Sequence, residues 1–478
     1  MMKHNLLASA VKLALTGALA GSLVACGGGS DSSDSAGVSS GTSVGPVSGF
    51  GSVYVNGTRF ATDGTVKSDD GIALETQLEK GMILKVQGEW GSQGEGEARA
   101  VTYDDTLRGP VTSMTWDATA RTGEIMMLGQ TVVVDGQTVF RGATPELIAS
   151  NATGYQVRVS GWRTAEGKFR ASFVGAKAAG VDFDGVNDVE IEGIVKNLDK
   201  DAQTFTISGF VINYVSAIPE DGFSLDDLAN EMVVEVEGSL AANNTLLATE
   251  IDNESDWFDG DDGDVEISGD LYDYDETNRQ FSINGVIVKM TSNTEFDDIR
   301  ESDLTDGLHV QVEGEFRDGV LYAEEVEGQE ADVELEGVVE SVDLVNETLL
   351  VSGVKVQLTT STLVDEGDDN ERRTRVLDIE SFKTGDVLEV EGYQRFSDGG
   401  YLEAASVKSE SRDNDEGDCA ELEAIITVTD AGSISVMNLE ILPDGIRLVG
   451  LDLTREVELE YCPTVGGEYK LTSVNTDE

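Results

Sequence analysis

Histidine is almost missing: two occur in 478 residues, His4 and His309. Zinc centres draw several ligands from His and Cys, so this chemistry has nothing to build on. A serine hydrolase would have to rest on His309 alone, which reads as a half-exposed strand residue. Proline is also scarce, at 6, while glycine reaches 54. That imbalance favours many short strands joined by tight turns over a helical bundle. Aromatic residues make up 6% of the chain and are scattered. They form neither the stacking platform that oligomer binding uses nor the lined cleft of a glycosidase. Bases are few: 32 Lys and Arg against 92 Asp and Glu give a net charge of −60. Repulsion from phosphates removes nucleic acid as a partner. Long apolar runs are missing as well. The one such stretch, Leu13 to Ala25, is too short to span a bilayer stably.

That stretch has a different use. Lys3 and His4 open it, and Leu23-Val24-Ala25-Cys26 closes it, matching the lipobox of bacterial lipoproteins. The segment 1–25 is expected to be a signal peptide, and Cys26 to carry the lipid. The glycine-serine run beginning at Gly27 makes 26–44 a flexible tether. By resemblance to such lipoproteins, Gly27 in place of Asp implies delivery to the outer membrane. The acyl chains would anchor the protein there, with the periplasmic face and the cell surface both open.

Three cysteines leave Cys419 and Cys462 once Cys26 is lipidated. In an oxidising compartment an even pair is most simply a disulfide, and two lone thiols without histidines make a poor metal site. Charge is uneven along the chain. From 45 to 180 there are about 15 acids against 13 bases; from 181 onward about 75 against 17.

A repeat runs through the chain. Asp188-Val-Glu-Ile-Glu-Gly193 is echoed by Asp264-Val-Glu-Ile-Ser-Gly269 and Asp332-Val-Glu-Leu-Glu-Gly337, with Gly45-Pro46-Val47 and Gly109-Pro110-Val111 in the same slot. A strand ending in glycine recurs at Leu84 to Gly88, Val157 to Gly161, Val234 to Gly238, Val310 to Gly314 and Leu388 to Gly392. These strands alternate apolar and polar residues, as half-buried strands do. Between the signatures lies a hairpin turned by Ser-Gly or Asn-Gly, as at Ser208-Gly209 and Asn284-Gly285. A short helical turn follows, with Ser224 or Ser302 expected as N-cap.

Each module reads strand, strand, strand, short helical turn, strand, strand. That is the order of oligonucleotide- and oligosaccharide-binding (OB) barrels. The expected class is all-β, with tandem OB-like five-stranded barrels at 45–105, 106–180, 187–257, 263–330 and 331–412. A divergent module at 418–478 places Ala424 and Tyr461 where the signature glycines would stand. The glycines and core valines of these modules resemble domain-of-unknown-function family 5666, found as tandem modules in exported bacterial proteins. The resemblance covers 45–412, is strongest in the third to fifth modules, and implies an architecture without assigned chemistry.

Among candidate sites, Gly41-Thr-Ser-Val-Gly45 matches a nucleophile elbow by pattern but lacks the strand and helix that motif needs; it is expected in the tether. Acidic clusters at module junctions could hold calcium through hard oxygen ligands. Asp256, Asp259, Asp261, Asp262 and Asp264 form the best of them, although none matches an EF-hand loop. Otherwise no cofactor is expected. The functional expectation is a non-catalytic cell-envelope lipoprotein, an elongated array of weakly packed modules that contacts an envelope or extracellular protein or glycan. A calcium-stiffened adhesin-like protein is the alternative, and an enzyme acting on an envelope polymer stands further behind.

Overall fold

The computed structural model describes residues 38–49, 52–68, 70–91, 94–164, 167–183, 189–219, 223–241, 243–254, 264–297, 299–306, 308–317, 320–328, 331, 333–344, 348–365, 379–410, 419–429, 432–448 and 456–475. Cys26, Asp256, Asp259, Asp261 and Asp262 lie outside them. Asp264 opens a strand.

The period-2 pattern of the sequence becomes strand throughout, and the described residues are all-β with a single short α-helix, Pro145–Ser150. The module at 263–330 shows the plan. Its strands are Asp264–Asp275, Gln280–Ile283, Val286–Asp297, His309–Arg317 and Val320–Gly328. The first pairs with the second, the second with the third, the third in parallel with the fifth, and the fifth with the fourth. The fourth then returns to the first, so the pairing runs in a ring. The modules at 106–180 and 331–412 repeat this circuit. Among the described residues, the helical turn after the third strand is a true α-helix only in the second module. Elsewhere it is a 3-10 turn, as at Glu75–Gln77 and Glu301–Asp303, or a plain turn around Asp226. Ser302 accordingly sits inside its 3-10 turn, with Arg300 at the cap.

The modules do not keep their sheets to themselves. Three sheets hold six modules, each shared by two, and the joint is always between first strands. Val38–Pro46 of module 1 pairs in parallel with module 4 at Thr42↔Val265. Leu107–Asp117 of module 2 pairs with Val189–Ile194 of module 3 at Arg108↔Glu190. Val333–Asp343 of module 5 pairs with Ala420–Ala424 of module 6 at Leu335↔Leu422. Apolar cores merge accordingly: one joins modules 2 and 3, another modules 5 and 6. Further contacts cross between sheets. Lys80 of module 1, 2% exposed, donates to the Leu358 carbonyl of module 5 at 2.7 Å. Ser160 Oγ of module 2 accepts the Ile83 N–H at 2.8 Å, and Trp162 enters the core of module 4. Weak packing through acidic linkers is therefore corrected. Residues 37–478 form one compact unit.

The tether reading needs a smaller correction. The first strand of module 1 begins at Val38, inside the stretch read as tether, so Gly41 to Gly45 is extended backbone, and Ser43 is fully buried. Cys419 and Cys462 are disulfide-bonded. Because Ala420 pairs with Tyr461, the bridge extends the ladder between the first and fourth strands of module 6.

Candidate functional site

The densest charge cluster lies where modules 1, 2 and 3 meet, and sheet register creates it. Arg108 stands opposite Arg158 on one side and opposite Glu190 on the other, and Glu190 stands opposite Glu237. Side chains two apart on a strand share a face, so Glu192 and Glu235 join Glu190 and Glu237. Module 1 covers this face with Asp70 and the segment carrying Asp104 and Asp105.

Arg108, 1% exposed, is the hub. Its Nη1 lies 2.9 Å from Asp105 Oδ2 and 2.8 Å from Glu190 Oε2, and it also pairs with Asp70; its Nη2 lies 2.6 Å from Glu237. Arg158 Nε reaches Asp105 Oδ2 at 2.9 Å and its Nη2 the Asp70 carbonyl at 2.7 Å. Tyr103 donates its hydroxyl to Asp105, and Asp105 donates its N–H to Asp70 at 2.7 Å. Burial works against the Arg108 charge, but Glu190, Asp105, Asp70 and Glu237 outweigh it and raise its pKa. The acids pay attention to the same conflict in the other direction: burial first, then the neighbouring Asp70, pushes Asp105 up to about 6. Burial likewise pushes Glu190 and Glu235 well above the usual carboxylate range, and Glu254 up to about 8. Isolated charges do not persist in such surroundings unless paired or neutralised.

A second acidic feature is open to solvent. Between modules 1 and 4, with Arg395 of module 5 also in its wall, a cavity of about 280 Å³ is lined by Trp90, Glu266, Asp297, Glu313, Glu325 and Glu327 among others. An adjoining cavity of about 670 Å³ shares Glu313 and Glu325 and adds Glu295, Glu315 and Tyr322. Glu266 is the buried floor of this groove, 2% exposed. It accepts Ser43 Oγ at 2.8 Å, Trp90 Nε1 at 3.0 Å and Gln311 Nε2 at 2.9 Å. Burial pushes it up to about 8. A cation already rests on the rim, with the Arg317 guanidinium 4.4 Å from the Tyr322 ring centre.

His309 is placed in company the sequence does not announce. Its Nε2 lies 3.1 Å from Ser268 Oγ and its Nδ1 3.0 Å from Asp270 Oδ1, the connectivity of a hydrolytic Ser-His-Asp group. Register explains it: Ser268 and Asp270 are two apart on one strand, and His309 is paired with Asp270 on the next. The serine stands mid-strand in a regular ladder, not on a turn whose N–H groups could receive an oxyanion. The cavity beside it measures about 40 Å³.

Comparison with known proteins adds the family. The model described as "Domain of unknown function (DUF5666)" matches residues 108–175, 192–252, 274–327 and 336–408. The chain belongs to this DUF5666 family. Its four matches coincide with modules 2 to 5, and modules 1 and 6 lie outside them. No curated protein matches the chain. The solved structure titled "drosophila Unr CSD456" is 14% identical over 46% of this chain and 97% of its own, with a TM-score of 0.14, too low to carry an argument.

Proposed function

We propose that this DUF5666 protein is a non-catalytic, lipid-anchored cell-envelope protein whose modules form a scaffold that presents an acidic groove to a cationic partner. The carrying observation is the groove between modules 1 and 4, where Asp297, Glu313, Glu325 and Glu327 line one cavity. Complementary charge steers and orients a basic protein segment, and Trp90 and Tyr322 supply faces against which its aliphatic stems and guanidinium groups rest. The ring order of strands, one-two-three-five-four, supports reading each module as an OB-like barrel. The anchor at Cys26, in the outer membrane, rests on the lipobox. Among the described residues no helix is long and apolar enough to cross a membrane.

The test is fluorescence anisotropy of a labelled lysine- and arginine-rich peptide against the full-length protein. Saturable binding that weakens at least tenfold in the Glu313→Lys, Glu325→Lys double variant supports the groove. Those two changes leave most of the −60 charge in place, so equal binding by variant and parent would mean diffuse attraction and overturn the reading. Two companion measurements address the rest. Cys26→Ser should move the protein from membranes to the soluble fraction. A fluorophosphonate probe should leave Ser268 unlabelled; labelling that His309→Ala abolishes would make the Ser268, His309 and Asp270 group an active site instead.

A further inference from the structure

Two groups of three carboxylates lie at the joint of modules 1, 2 and 3, and they differ in what neutralises them. In the first, Asp70, Asp105 and Glu190 offer oxygens within 4.8 Å of one another. Arg108 Nη1 contacts all three, so this group already encloses a cation. In the second, Asp104, Glu190 and Glu235 are equally close. Glu190 is fully buried and accepts no hydrogen bond through either oxygen. Its Oε2 touches Arg108 out of alignment, and its Oε1 is a buried acceptor with no partner among the described residues. The strongest charges acting on Glu235 are negative, from Asp104, Glu190, Glu254 and Asp70, and Glu235 shares a side-chain hydrogen bond with Glu254. Arg158 is held by Asp105 and Arg163 faces Glu192 at 3.4 Å, and Lys85 acts on Glu254.

We propose that Asp104, Glu190 and Glu235 hold a calcium ion that ties module 3 to the segment joining modules 1 and 2. Oxygens up to 4.8 Å apart suit calcium, whose ligands stand about 2.3–2.6 Å from the ion and whose shell tolerates irregular geometry. Magnesium demands a tighter octahedron and keeps its waters. With oxygen donors alone, the site does not suit zinc or copper. Its residues do not line the groove between modules 1 and 4, so either reading can fail alone.

The experiment is isothermal titration of calcium chloride into EDTA-stripped full-length protein near neutral pH, with magnesium chloride as control. We expect one saturable calcium site. Affinity should fall at least tenfold in Glu235→Gln and in Glu190→Gln, and stay unchanged in the surface control Glu276→Gln. Glu235→Gln removes a like charge from a crowded joint, so it should keep its fold, with a midpoint in EDTA at or above that of the parent. It decides the matter if Glu190→Gln does not fold. Equal titration of Glu235→Gln and parent, magnesium binding as tight as calcium, or heats without saturation would each overturn the site.

Discussion

The five glycines read from the sequence as strand ends lie inside the fourth strands of the first five modules, which run on past them, and steric contact explains each. Gly88, Gly161, Gly238, Gly314 and Gly392 all stand at a register shift between the fourth and fifth strands. A Cβ on any of them would approach a backbone carbonyl oxygen of the facing strand to between 2.1 and 2.6 Å, closest at Gly392 against Glu403. The bulge thus selects against any side chain. Gly392→Ala should destabilise the protein by about 1–3 kcal/mol through overpacking, read as a lower midpoint in chemical denaturation; an unchanged midpoint would show that the bulge relaxes freely. In module 6 the same shift carries Tyr461. That ring is fully buried and its hydroxyl donates to the Ser352 carbonyl of module 5 at 3.0 Å. The residue that breaks the repeat thereby fastens the last module to its neighbour. The glycines were legible because a repeat displays its constraints several times over. The carboxylate joint was not: Asp70 and Asp104 come from module 1 and Glu190 and Glu235 from module 3, each one acid among 92. The pairing of His309 with Asp270 was equally hidden, since it depends on cross-strand register.

At the scale of elements, the first strand of each module pairs with a neighbour's first strand as well as with its own fourth strand. This double support explains why Val38–Pro46 is a strand despite a sequence of Ser, Gly and Thr that reads as tether. Tertiary pairing overrides weak propensity there. Elsewhere the alternation of apolar and polar residues was enough to place strands. What alternation could not supply was the sharing of sheets, because a strand's sequence names its buried face and not its edge partner. The disulfide acts at this scale too. It joins Cys419 and Cys462 across the first and fourth strands of module 6, and the loop it closes is worth roughly 3–4 kcal/mol in the chain-entropy model. Reduction, or the Cys419→Ser, Cys462→Ser double variant, should lower the midpoint of module 6, followed by the fluorescence of its tyrosines. Identical melting with and without reductant would show that Tyr461 and the shared sheet hold the module unaided.

The whole molecule carries its acids in two environments, and they respond to pH with opposite signs. Exposed carboxylates such as Asp63, Asp117 and Asp275 accept hydrogen bonds that lower their pKa values, so their contribution is lost only as pH falls towards strong acid. The buried ones run the other way. Burial raises Asp105 to about 6, Glu192 to about 7, and Glu254 and Glu266 to about 8, from ordinary values of 3.8 and 4.5. Between about pH 4.5 and pH 8 the folded chain therefore binds more protons than the unfolded one, and stability falls as pH rises. The contribution is fully present below the unfolded values and is lost as pH climbs through the folded ones. In EDTA the thermal midpoint should accordingly drop from pH 5 to pH 8. Glu266→Gln tests one group by itself, because an amide retains partners for Ser43, Trp90 and Gln311 but does not ionise. Relative to the parent, that variant should gain stability at pH 8 over pH 5, flattening the profile. A midpoint that holds steady or rises across this range would mean that these carboxyls ionise at little cost inside the fold, and that water reaches joints described here as closed.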